Sequence, residues 1–74
     1  MELKDAQILI NLLKRGKVVI CNLAPDMYCP VISINTEKML ITMIGPDGDE
    51  LREVTNSLTH ASRERFFVVQ EIPW

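Results

Sequence analysis

A chain of 74 residues, 47% of them apolar, with a net charge of −2, makes one small globular domain and is too apolar for intrinsic disorder. It has no basic excess to recruit nucleic acid through phosphate contacts, and it is too weakly acidic to imitate one. No stretch approaches the ~20 apolar residues of a membrane span, and the opening Met1, Glu2, Leu3, Lys4 and Asp5 lack the basic start and apolar run of a secretory signal.

Residues 3–15 read as a helix. Leu3, Ala6, Ile10 and Leu13 share one face, and Ile8, Leu9 and Leu12 widen the apolar stripe beyond what one packed face requires. Glu2 and Asp5 stand in the first turn and Lys14 and Arg15 in the last, the order the helix dipole favours. Gly16 follows where a left-handed cap is wanted. Residues 17–23 form a β-branched, buried strand. Residues 24–30 read as a loop bracketed by Pro25 and Pro30. In 31–35, Ile32 and Ile34 alternate with Val31, Ser33 and Asn35, the pattern of a half-buried strand.

The next segment, 38–45, has Met39, Ile41 and Met43 on one face and Leu40, Thr42 and Ile44 on the other. Both faces are nearly apolar, so a central strand covered on two sides is expected. Pro46, Asp47 and Gly48 then close a hairpin, with Pro46 at the first central turn position. In 49–55 the charges of Asp49, Glu50, Arg52 and Glu53 leave only Leu51 and Val54 apolar. That spacing means either a bulge or an edge strand with one wet face. Residues 56–65 suit one or two helical turns, capped by Thr55 or Asn56, with Leu58 and Ala61 inward. A last strand, 66–72, sets Phe66 and Val68 against Phe67 and Val69 before Pro73 and Trp74.

The fold class is therefore α+β in a single compact domain, 1–74. An N-terminal helix precedes a small, mostly antiparallel five-stranded sheet or half-closed barrel, with a short helical turn before the last strand. The layout resembles that of small Tudor- or KOW-like barrels, in architecture alone, since no family motif accompanies it. The helix must bury its stripe somewhere, which favours the open or half-closed sheet.

Catalytic chemistry finds little footing. Zinc needs about four ligands, whereas Cys21, Cys29 and His60 form no such set. Two cysteines are too few for a secreted disulfide scaffold, so reduced thiols and a cytoplasmic location are expected. Cys29, between Tyr28 and Pro30, is the expected exposed thiol, and Cys21 the buried one. The isolated glycines build no phosphate loop. Asp47, Asp49 and Glu50 lack the loop of a calcium hand. His60 lies among polar neighbours and reads as a surface residue. No enzyme activity, metal or cofactor is expected.

Binding remains. Apolar richness in so short a chain hints at burial against another chain. Ile8, Leu9 and Leu12 on the helix, Met27 and Tyr28 in the proline-framed segment, and Trp74 at the end are the candidate protein-binding residues. The expected job is that of a small regulator, inhibitor or adaptor, of the kind common among bacterial and phage accessory proteins, with self-association through the helix as one form of it. The alternative is a nucleic-acid-binding barrel using Lys14, Arg15, Lys17, Arg63 and Arg65. That patch requires the last strand to start beside the first so that its two halves merge. Scarce aromatics weigh against it.

Overall fold

The computed structural model of the chain describes residues 1–69. The expected end of the last strand, Pro73 and Trp74 lie outside the described residues. Helix α1 (Leu3–Lys14) leads into β1 (Val18–Ala24), β2 (Met27–Asn35), β3 (Leu40–Asp47) and β4 (Glu50–Ser57). Two 3-10 turns, Leu58–His60 and Arg63–Arg65, precede β5 (Phe66–Val69). The strands form one sheet in the order β4-β3-β2-β1-β5, and each neighbouring pair is antiparallel. The outer strands β4 and β5 do not pair with each other among the described residues. The sheet is therefore open, and the α+β architecture expected from the sequence is the one observed.

Helix α1 ends as its sequence demands. Gly16 takes φ 76°, its N–H donates to the Leu13 carbonyl at 3.0 Å, and the Lys17 N–H donates to the Leu12 carbonyl at 3.0 Å. This pair of bonds is the Schellman closure, and it needs a residue free to enter the left-handed region. The helix packs against β1 and β2 through Ala6 and Leu9, both fully buried. The stripe is thus rotated from the expected face. Leu9 is core, Leu12 is half-buried against it, and Ile8 and Leu3 are exposed.

Strand alternation supplies the rest of the core. Val19 and Cys21 on β1, Cys29 and Val31 on β2, Ile41 and Met43 on β3, and Phe66 on β5 all face inward. Leu58, in the first 3-10 turn, is fully buried beside them. Its N–H donates to the Met39 carbonyl at 2.8 Å, and its own carbonyl accepts from the Met1 amine at 3.2 Å. Met39 holds φ 55°, a left-handed conformation unusual for such a side chain. Packing against the core and the bond from Leu58 offset that strain.

Four local expectations are corrected. Residues 27–30 are strand, and the connection between β1 and β2 shrinks to Pro25 and Asp26. β2 pairs with β1 through 27–30 and with β3 through 31–35, so it is the corner where the sheet changes partners. A bulge sits at that corner, because Val31 opposes Met43 and Ser33 opposes Thr42. The extra residue, Ile32, is 42% exposed while Val31 is buried. The inserted residue reverses the inward–outward phase, which an unbroken alternation misses.

On β3 only one face is buried, since Thr42 and Ile44 are half-covered and Leu40 is exposed. The hairpin turn falls two residues later than expected. Pro46 is still in the ladder opposite Leu51, and Asp47 opposes Glu50. Gly48, at φ 67°, takes the first central position, the requirement of a II′ hairpin turn. Pro46 is tolerated because it lies beyond the part of β3 paired to β2, where no N–H is called for. β4 pairs in unbroken register and is an outer strand with Leu51 75% exposed. The wet-edge reading of its charges therefore holds. On the inward face, a Cβ on Gly45 would approach Val54 Cγ2 to 3.0 Å, so this residue keeps β3 and β4 in close contact.

Leu9→Ala is expected to lower the unfolding free energy by about 2–5 kcal/mol through the cavity it leaves. Ile8→Ala should change it by no more than about 0.5 kcal/mol. Urea unfolding of both variants separates the two, and equal losses would mean that the core stripe has been assigned to the wrong helix face.

Candidate binding face and inner cavity

The outer face of β5, β1 and β2 is built by register. With Val19 and Cys21 inward, β1 turns Ile20 and Asn22 outward. Phe67 and Pro30 both oppose Ile20, from β5 and β2 respectively, and Tyr28 opposes Asn22. One row across the sheet therefore reads Phe67, Ile20, Pro30, and Tyr28 stands in the next row. Tyr28 is 57% exposed and Phe67 43%. Their rings meet edge to face across β1, with centroids 6.1 Å apart and planes at 75°. Such a pair gains from quadrupole alignment, yet it leaves much of both rings in water.

The residues expected to bind a protein are not brought together. Ile8 is exposed on α1, whose opposite side packs onto the inner face of the sheet, whereas Tyr28 projects from the outer face. Leu9 belongs to the core, and Leu12 and Met27 are half-buried and packed against it. Trp74 lies outside the described residues. Phe67 was missed as a site residue, although its signal was legible: in an alternating strand, Phe66 and Phe67 cannot both face inward. Phe66 pairs with the inward Cys21, so Phe67 is the one in solvent.

The basic residues separate as well. β5 runs antiparallel to β1, so its start lies at the far end of β1 from Lys14, Arg15 and Lys17. Arg65 Nη1 donates to the carbonyls of Asn22 and Leu23 at 3.4 and 3.2 Å. Lys17 and Asn22 are five positions apart along the strand, roughly 16 Å at ~3.3 Å per residue. Arg63 turns to the Phe66 carbonyl at 2.9 Å. The two basic spots therefore form no single patch. The acidic hairpin tip is also answered from within, since Arg52 meets Glu50 at 2.8 Å and Asp47 at 3.4 Å. Among the described residues, no group of three or more His, Cys, Asp or Glu side chains could hold a metal ion.

On the open side of the sheet, a cavity of about 470 Å³ lies between β4 and β5. Cys21, Ile41, Met43 and Phe66 form its floor, and Asn56, His60 and Arg65 stand at its rim. Cys29 is not the exposed thiol expected from a loop. It sits directly opposite Cys21 in the β1–β2 ladder, and both thiols are free and buried. Burial pushes the Cys21 thiol up from its ordinary range, the nearby Cys29 adds to this, and the Arg65 guanidinium pulls it back. Burial alone raises Cys29.

Compared with known proteins, the chain matches no family model, no curated relative and no solved structure. No helix among the described residues is long and apolar enough to cross a membrane.

Because folding raises both thiol pKa values, it favours the protonated forms. Their contribution to stability is complete below the ordinary thiol range and drains away as pH rises through the raised values. The melting temperature is therefore expected to fall above about pH 8.5, and less steeply in the Cys21→Ala, Cys29→Ala double variant. Parallel pH curves for the two proteins would remove the thiols from the account.

Proposed function

We propose that this chain is a small, non-enzymatic, cytoplasmic protein-binding module, acting as a regulator, inhibitor or adaptor through the outer face around Tyr28 and Phe67. One observation carries the reading. An edge-to-face aromatic pair stands in solvent beside Ile20 and Pro30, on a sheet whose core lies on the other side. Rigid aromatic side chains lose little entropy on docking and bury large areas, which is why they dominate binding hot spots. A partner, a second copy of the chain included, would cover an apolar surface that the fold itself leaves wet.

Exposed rings also stack on bases, so nucleic acid is the competing ligand. The separation of Lys14, Arg15 and Lys17 from Arg63 and Arg65 disfavours it, because phosphate contacts draw affinity from clustered cations.

Affinity purification from the organism's own extract, followed by titration of whatever co-purifies, tests the choice. Tyr28→Ala and Phe67→Ala should keep the circular dichroism of the parent and each weaken the recovered protein partner by roughly 30-fold, the ~2 kcal/mol of a hot spot. Undiminished binding by the double variant would overturn the assignment. Recovery of nucleic acid that vanishes in Arg63→Glu, Arg65→Glu and at raised salt would put the competing ligand in its place.

A further inference from the structure

We propose that Cys21 and Cys29 are a redox-reactive dithiol that closes to a reversible cross-strand disulfide beneath the Tyr28–Phe67 face, with hydrogen peroxide as oxidant. The two residues are directly opposed in the β1–β2 ladder and both point inward. Both thiols are free. An apolar core position of this size is met equally well by valine or alanine, so packing alone does not call for two thiols face to face.

Proline defines the geometry. Pro30 opposes Ile20 and has no N–H to donate, so that pair cannot exchange both ladder bonds. Alternation then makes the adjacent Cys21–Cys29 the hydrogen-bonded pair, with Cα atoms ~5.5 Å apart. That spacing lies within the ~4.4–6.8 Å of disulfides. The Cβ atoms of such a pair stand near the upper end of ~4.5–5.5 Å, whereas a disulfide holds them at ~3.5–4.5 Å. Closure must therefore draw β1 and β2 together by about an ångström. A bond made under that tension is readily reduced, the property of labile and regulatory disulfides.

The cavity supplies access and order. Cys21 lines it and Cys29 does not, so an oxidant arriving through the open side of the sheet meets Cys21 first. Arg65, at the same rim, favours its thiolate. The Cys21 sulfur attacks one peroxide oxygen and breaks the O–O bond. This leaves a sulfenic acid on Cys21 and releases one water. The Cys29 sulfur then attacks the sulfenic sulfur, forming the S–S bond and releasing a second water. Two electrons pass from the thiols to the peroxide, and the two thiol protons leave in the waters. Burial makes the first step slow, because only the thiolate is nucleophilic.

The consequence for binding follows from adjacency. Ile20 and Asn22 flank Cys21, and Tyr28 and Pro30 flank Cys29. All four face outward in the rows that carry the aromatic pair. Drawing the strands together therefore re-aims Tyr28 against Phe67. This coupling rests on the binding role proposed above, whereas the disulfide itself does not.

The test is hydrogen peroxide added to the folded chain at neutral pH, read by intact mass and by peptide mapping without reductant. The expected result is the loss of two hydrogens in a monomeric Cys21–Cys29 product that dithiothreitol restores. Cys29→Ser should stop at a sulfenic acid on Cys21 that dimedone traps, and Cys21→Ser should react far more slowly. Two thiols left free, or oxygens added at both without a crosslink, would overturn the proposal, and this arm needs only the unaltered chain. Amide NMR spectra of the reduced and oxidised forms test the coupling separately. Shifts should concentrate at Ile20, Asn22, Tyr28 and Phe67, and an unchanged outer face alongside a formed disulfide would refute the link to binding while leaving the dithiol in place. A formed disulfide with outer-face shifts, on a chain whose double aromatic variant binds its partner undiminished, would overturn the binding role and leave the redox chemistry standing.

Discussion

β1 is hydrogen-bonded on both sides, and its alternation assigns a face to everything beside it. Val19 and Cys21 point inward, so Ile20 and Asn22 point out. β2 and β5 inherit those directions through their register with β1. A slip of one residue in either pairing would move the buried Cys29 or Phe66 into water and the exposed Tyr28 or Phe67 into the core. Each such exchange would force a side chain of the wrong shape or polarity into a core packed for the other, so the register is strongly specified. The core and the proposed binding face are therefore two sides of one constraint. The aromatic pair is displayed because the opposite phase of the same strands is needed inside.

The same constraint explains what the residues reveal and what they conceal. Helix α1, the hairpin of β3 and β4, and the last strand announce themselves through a capping glycine, a turn glycine and β-branched runs. Their chemistry is local, so it is legible. β2 is not, because Pro25 and Pro30 look like loop punctuation. Pro30 sits in a strand only because Ile20 can do without its N–H, a fact belonging to the partner strand. The bulge at Ile32 is hidden for a related reason. It exists where β2 changes neighbours, and no property of Ile32 itself marks that place. On the helix, Leu9 and Ile8 are equally apolar. The choice between them is made by the angle at which α1 crosses β1 and β2, which periodicity does not encode.

The candidate site follows this division. Tyr28 is recognisable as an aromatic residue with little to do, but as part of a supposed loop it has no companions. Its companions Phe67 and Ile20 come from strands 39 and 8 positions away, joined by register alone. The surplus assigned to the helix stripe is reduced to Ile8, exposed beside Leu3, since Leu9 and Leu12 are needed to roof so small a core. A domain of this size buries a modest fraction of its surface. Other apolar side chains, among them Leu3, Ile8 and Leu51, are also exposed, but Tyr28 and Phe67 are the ones whose rings meet each other in solvent.

Whether that surface suits protein or nucleic acid turns on strand direction. Had β5 run parallel to β1, Arg63 and Arg65 would have come to lie near Lys17, and the rings would have been bordered by one cationic patch. The antiparallel pairing places Arg65 at the other end of β1, with one nitrogen committed to the carbonyls of Asn22 and Leu23. Lys14, Arg15 and Lys17 remain beside the helix terminus they neutralise. Spacing of this order exceeds the ~8 Å over which surface charges act together at physiological salt. The rings are thus left in a setting where apolar contact, rather than phosphate attraction, is the stronger available interaction, and Arg65 is turned toward the cavity and the thiol on its floor.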